Sequence, residues 1–144
     1  MIVQQILNGK PISNVITVAP GDSVESAAKV LSDNRIGSVV VSADGRSCVG
    51  ILSERDIVRE LGKRGPGCMA DKVEVLMTAA IETCGLADDA EIILTRMTDG
   101  RFRHMPVVKD GEMIGIISIG DVVKARLMEL AMEKDALQGM IMGH

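Results

Sequence analysis

Two segments of this sequence hold ligand-binding residue types at one fixed spacing: Gly50-Ile51-Leu52-Ser53-Glu54-Arg55-Asp56 and Gly115-Ile116-Ile117-Ser118-Ile119-Gly120-Asp121. Both read G-h-h-S-x-x-D, where h is apolar. An apolar run that breaks into serine, with an acid three residues later, is the pattern of a strand running into a helix. A single copy is explained by a capping box, in which the two side chains satisfy backbone N–H groups at the helix start. Two copies in register, each with glycine at the same place, point further. Such a junction offers free N–H groups at the positive end of a helix, a hydroxyl able to donate to phosphate, and a carboxylate one turn on. A carboxylate repels phosphate, so Asp56 and Asp121 suit the 2′- and 3′-hydroxyls of a ribose, with Ser53 and Ser118 on the phosphate side. Glycine at 50 and 115 leaves the backbone open to close approach or serves a strand bulge.

The elements that position these segments are themselves repeated. Val24, Ala27, Ala28 and Leu31 recur 66 residues on as Ala90, Ile93, Leu94 and Met97, an i, i+3, i+4, i+7 apolar stripe that predicts a helix in each half. Asp22 with Glu25, and Asp88 with Glu91, give each helix an acidic capping start. A β-branched run follows each helix, Val39-Val40-Val41 and Val107-Val108, then a turn signal, Asp44-Gly45 and Asp110-Gly111. The returning strands are Cys48 to Leu52 and Met113 to Ile117, each leading into a second helix at Ser53 or Ser118. Val15-Ile16-Thr17-Val18 and Ala80-Ile81-Glu82-Thr83 read as short leading strands. Each half is therefore β-α-β-β-α, and Gly62-Lys63-Arg64-Gly65-Pro66-Gly67 is the linker between them. The fold class expected is α/β (α+β): tandem repeats packed as a pseudo-two-fold pair, because a half of about 50 residues is marginal alone, with a cleft between like halves. The stretch from Lys124 to about Met142 reads as a C-terminal helix with Leu127, Leu130, Ala131, Leu137 and Ile141 on one side, widened by Met128, Met132 and Met140. That face packs on the chain's own core or is kept for a second subunit or partner. The domain division is 1–64 for the first repeat with the N-terminal segment, 65–126 for the linker and second repeat, and 127–144 for the C-terminal helix.

The paired G-h-h-S-x-x-D segments, the leading strand before each acidic-capped helix, and Gly100-Arg101-Phe102-Arg103-His104-Met105-Pro106-Val107-Val108 together resemble the cystathionine β-synthase (CBS) domain pair, or Bateman module. The resemblance covers nearly everything from Val15 to Arg126. It implies a non-catalytic regulatory and energy-sensing fold that binds AMP, ADP, ATP, S-adenosylmethionine or a related adenosine ligand such as NAD, with no required cofactor and Mg²⁺ left open. Carried over by position, it implies that Asp56 and Asp121 hold ribose, with Ser53, Arg55 and Ser118 near phosphate and Arg103 and His104 as further phosphate contacts. Ile16, Thr17, Ile81 and Glu82 would line the base through backbone groups, alongside Gly37, Ser38, Val39, Met105 and Pro106. It further implies a disc-like homodimer and a separate effector protein. The copies differ: the first has Arg55 where the second has Gly120, and the second has Arg103-His104 where the first has Ile36-Gly37 or thereabouts. Alternative readings are a surface pair of Arg55 with Glu54 or Glu60, and a half-buried structural imidazole for His104.

Composition narrows the function classes. The chain has 144 residues, 47% hydrophobic, a net charge of −4 and a single aromatic residue, Phe102. Mixed charge offers no basic face for a phosphate backbone, and one ring gives little stacking surface for successive bases, which argues against an RNA-binding module. The three cysteines, Cys48, Cys68 and Cys84, lack disulfide or zinc spacing, and no metal site is expected. They read as buried thiols, so no enzyme is expected. The start MIVQQILNGKP lacks the pattern of a signal peptide, and no apolar run is long enough to span a bilayer, so a cytoplasmic protein without membrane contact is expected. Gly143-His144 reads as the stump of a purification tag. The competing function is a dimerisation or docking platform whose nucleotide clefts do not work.

Overall fold

A computed structural model describes residues 1–9 and 15–142. The terminal Gly143-His144, read above as a tag stump, lies outside the described residues. In chain order the elements are α1 (Val3–Asn8), β1 (Thr17–Val18), α2 (Val24–Asn34), β2 (Ser38–Val41), β3 (Gly50–Ser53), α3 (Glu54–Arg64), a 3-10 turn (Pro66–Ala70), α4 (Val73–Leu76), α5 (Ala90–Gly100), β4 (His104–Lys109), β5 (Glu112–Ser118) and α6 (Ile119–Ile141). Mixed helix and strand in two like repeats is the fold class expected. In the first repeat β1 runs parallel to β2, which pairs antiparallel with β3. In the second, β4 pairs with β5. The two-residue turn between them, Asp110 (φ 53°) and Gly111 (φ 79°), has the left-handed pair of a type I′ hairpin turn, the conformation for which Asp-Gly is suited.

Four expectations shift. The segment Ala80–Thr83 is not a strand: the second repeat's leading edge is one bridge, Cys84 parallel to Val107, displaced 66 residues from the Val18 and Val41 pair of the first. The acids at the helix starts act one residue earlier than expected. Asp22 accepts from Ala19 N–H (2.9 Å) and Asp88 from Gly85 N–H (2.8 Å), closing the preceding turn. The N-caps are Ser23, accepting from Ser26 N–H, and Asp89, accepting from Glu91 N–H. The linker also differs, because α3 continues through Gly62 and Lys63 and stops only at Gly65, whose φ of 76° disfavours any side chain. Finally, the second repeat's closing helix and the C-terminal helix are one continuous element of 23 residues.

Contacts divide the chain into two compact units, and they do not follow chain order. One gathers the first residues of the chain, Thr83–Lys109 and the stretch from Gly115 onward; the other gathers the stretch ending at Glu82 and Asp110–Ile114. The reason is an exchange of short helices. Helix α4, which precedes the second repeat, docks on the first: Val73 N–H donates to Asp22 O (2.8 Å) and Val24 N–H to Asp71 O (2.9 Å). Helix α1, which precedes the first repeat, docks on the second in the same way, with Val3 N–H on Asp88 O (2.9 Å) and Ala90 N–H on Met1 O (3.0 Å). Val73 and Leu76 are buried with Val24, Leu31 and Leu52. Val3 and Ile6 are buried with Ile93, Met97 and Ile117. A division at residue 64 misses this exchange, because the apolar faces of α1 and α4 follow burial.

The docked segments explain the two motif glycines. A Cβ at Gly50 would lie 2.6 Å from Met77 Sδ and 2.9 Å from the Thr78 carbonyl oxygen, and one at Gly115 would lie 3.0 Å from Leu7 Cδ2. Close approach is indeed the reason for glycine, but what approaches is the segment next to α4 or the end of α1. Thr78 also exchanges both backbone hydrogen bonds with Ile51, at 3.0 and 2.9 Å. Gly50→Ala is expected to destabilise the fold by about 1–3 kcal/mol, the usual cost of overpacking against atoms that cannot yield. Gly115→Ala should cost less, because only the mobile end of Leu7 must move; urea unfolding of the two variants gives the order directly.

Cys84, at the second repeat's bridge, is buried, and burial pushes its thiol up to about 11, reinforced by the Asp88 carboxylate and opposed by Arg96. The folded state therefore holds this proton more tightly than the unfolded one. Its contribution to stability is full below the ordinary thiol range and is lost as pH rises from about 9 toward 11. Chemical denaturation as a function of pH should show a shallower alkaline decline in Cys84→Ala than in the parent, by about one proton or less.

Candidate functional site

Both G-h-h-S-x-x-D segments form the strand-to-helix junction they predict, β3 into α3 and β5 into α6. Each serine is the N-cap and each aspartate closes a reciprocal capping box. Ser53 N–H donates to Asp56 Oδ2 (2.9 Å), and Asp56 N–H donates to Ser53 Oγ (3.2 Å). Ser118 N–H donates to Asp121 Oδ2 (2.9 Å), and Asp121 N–H donates to Ser118 Oγ (3.1 Å). The cap uses one carboxylate oxygen in each copy, and a carboxylate has two, so capping alone does not exhaust either aspartate. In the first copy Ser53 Oγ also donates to Asp56 Oδ2 (3.1 Å), and Arg59 reaches Asp56 Oδ1 at 3.5 Å. Asp56 is 7% exposed, whereas Asp121 is half-buried.

The start of the strand paired with each junction strand, β2 or β4, lies beside the helix start. In the first repeat Ser38 lies opposite Ser53 and Val39 opposite Leu52 across β2 and β3. Glu54 N–H donates to Gly37 O at 2.9 Å, and a Cβ at Gly37 would be 3.4 Å from Glu54 Oε1. The backbone of Gly37, Ser38, Ser53 and Asp56 is thus gathered at the start of α3, with a carboxylate over it. In the second repeat Ile119 N–H donates to Arg103 O at 2.8 Å, the same bond. Arg103 and His104 therefore stand where the first repeat has Gly37 and Ser38, one position later than sequence comparison suggests. The acid Glu54 has Ile119 as its counterpart, and Arg55 has Gly120.

The remaining expected residues fall into place around this frame. Met105 and Pro106 are buried in β4, so each contributes mainly backbone to any ligand, and Pro106 O accepts from Cys84 N–H (3.0 Å). Arg103 is exposed and His104 half-buried at the start of β4. Arg55 is exposed, and Glu60, one partner open to it, is held instead by Arg64 at 2.8 Å. Ile16 is half-buried just before β1, and Thr17 is the first residue of that strand. Ile81 is half-buried and Glu82 exposed, and both precede the Cys84 bridge. Because Cys84 takes the place of Val18, the residue equivalent to Thr17 is Thr83, not Glu82. Sequence reading did not single out Thr83 as the counterpart of Thr17, although the 66-residue displacement of the α2 and α5 stripes contained the signal.

Among the described residues, no group of three His, Cys, Asp or Glu side chains could hold a metal ion. Cys48 is half-buried and Cys84 buried, and burial pushes both thiols up, so neither is a ready thiolate at neutral pH; Cys68 is buried. Among the described residues, no helix is long and apolar enough to cross a membrane.

The geometry agrees with comparison to known proteins. The CBS domain family model matches residues 3–63 and 72–128, and both matches begin at the docked helices α1 and α4. The chain is 35% identical over 126 residues to a mitochondrial CBS domain-containing protein of Arabidopsis thaliana, covering 85% of this chain but only 61% of that relative's length. A CBS-domain containing protein from Agrobacterium tumefaciens is 40% identical, with a TM-score of 0.82 over 88% of this chain and 99% of the other. A CBS domain protein from Pyrobaculum aerophilum, solved as a complex with AMP, is 25% identical with a TM-score of 0.77, covering 92% and 99% of the two chains. Two repeats with the same cap, the same glycine and the same docked helix, each matched by the family model, make this chain a member of the CBS-domain family carrying two CBS domains in tandem.

Proposed function

We propose that this chain is a non-catalytic regulatory module that binds an adenosine-containing ligand and passes its occupancy to a separate effector or a second copy of itself. The observation that carries the reading is the second repeat's junction, where Arg103 and His104 stand beside the start of α6 through the bond from Ile119 N–H to Arg103 O. Two side chains able to carry positive charge, a helix N-terminus and the Ser118 hydroxyl suit a phosphate, and Asp121 one turn on suits a ribose. The AMP complex of the related Pyrobaculum aerophilum protein supports an adenosine nucleotide as the ligand class. AMP, ADP, ATP and S-adenosylmethionine are the candidates to compare, with and without Mg²⁺.

We assign the stronger phosphate site to the second repeat. In the first, Glu54 overlies Gly37 at the start of α3. A carboxylate at that place repels phosphate, so the first junction serves chiefly as a helix cap, with Ile16, Thr17, Ser38 and Val39 as a secondary surface. Three cysteines without a disulfide suit a reducing compartment such as the cytoplasm.

A thermal-shift series with AMP, ADP, ATP, S-adenosylmethionine, NAD(H) and single-stranded RNA tests the reading. An adenosine ligand at 100 times its Kd should add about 2.7 kcal/mol, and RNA nothing. No shift with any adenosine ligand would leave a docking platform. Arg103→Ala is expected to weaken AMP about tenfold or more while leaving adenosine binding nearly unchanged, because it removes a charged contact to phosphate alone. Asp121→Asn keeps an acceptor for Ser118 N–H, so calorimetry should record a loss of affinity for adenosine and AMP alike with little loss of stability. Unchanged affinity in that variant reduces the motif to a cap.

A further inference from the structure

We propose that the outer half of α6 is a self-association surface, forming a short parallel two-stranded coiled coil with a second copy of this chain. Val123, Leu127, Leu130, Lys134, Leu137 and Ile141 follow one another at spacings of four, three, four, three and four, the a and d positions of a heptad repeat. These positions lie on a different side of α6 from Val122 and Ala125, the residues buried in its own unit. The stripe is in solvent: Leu127 is 62% exposed, Leu130 49%, Leu137 59% and Ile141 84%. Every residue from Leu130 to Gln138 is exposed, so this part of the helix has no tertiary packing to sustain it, and helices of that length are marginal in water alone.

The single polar member of the stripe selects the partner. Lys134 occupies an a position, and in a parallel pair an a side chain lies beside the g residue that precedes the matching a of the other helix. That residue is Glu133, so each Lys134 ammonium meets Glu133 of the second copy, twice by symmetry. An unrelated apolar helix would bury the lysine without an acid. A lone lysine at a also fixes register and oligomer state, here a pair. The remaining g to e pairs, Arg126 with Ala131 and Glu133 with Gln138, oppose no like charges. The surface does not depend on the ligand reading.

Sedimentation velocity of the full chain over a concentration series tests the proposal. A concentration-dependent dimer is expected, with Leu130→Glu combined with Leu137→Glu raising its dissociation constant at least about tenfold. Both positions are exposed, so the variant should melt like the parent when each is monomeric. Met132→Glu, off the stripe, should remain a dimer. Lys134→Cys under mild oxidation should cross-link to itself, and this cross-link should vanish when the two glutamates are added. A monomer at all concentrations, a larger assembly, a dimer indifferent to the two glutamates, or a dimer in which Lys134→Cys does not cross-link would each overturn the proposal.

Discussion

A β-α-β-β-α repeat leaves part of its apolar face uncovered, and in this chain the cover comes from the helix that precedes the other repeat. Val73 and Leu76 of α4 complete the core formed by Val24, Leu31 and Leu52, while Val3 and Ile6 of α1 complete that formed by Ile93, Met97 and Ile117. Repeats of this size bury too little surface to be stable alone, so neither core is whole without its borrowed helix. The two glycines at the head of the functional motif are a consequence. Gly50 and Gly115 make room for Met77 and Leu7, the ends of those helices, so the motif's first residue belongs to the core, while its serine and aspartate form the helix cap.

The same economy governs the junctions. Ser53 with Asp56, and Ser118 with Asp121, satisfy N–H groups that a buried helix start would otherwise leave unpaired. A fully formed cap in both copies shows why the pattern would persist without any ligand. The copies differ in what surrounds the cap. Glu54 lies over Gly37 at one start, while Arg103 and His104 stand at the other, on nearly identical backbones. Duplication has supplied one scaffold twice, and a few side chains at the strand starts and first helical turns separate the electrostatics of the two copies.

Much of the fold was legible in the residues themselves. The α2 and α5 stripes, the β-branched strands, the Asp110-Gly111 turn and both strand-to-helix junctions follow from periodicity and turn chemistry, because each is decided within a few neighbouring residues. The boundaries were less legible. Asp22 and Asp88 looked like caps but close the turns before Ser23 and Asp89, since an acid can serve either N–H with the same local sequence. The second leading strand was read one residue early, and Thr83 was missed with it, because a single bridge at Cys84 has no periodicity of its own.

What the sequence determined by itself was the repeat, its elements and the paired capping motifs, all short-range properties of side-chain type and spacing. Tertiary structure alone decided which helix covers which repeat, because Val3, Ile6, Val73 and Leu76 are equally apolar wherever they pack and their partners lie far along the chain. It also decided that the motif glycines answer to Met77 and Leu7, and that α6 is anchored by Val122 and Ala125 while the leucines beyond find no cover within their own chain. Burial is a sum over contacts distant in sequence, and no local pattern states which of several apolar faces will find them.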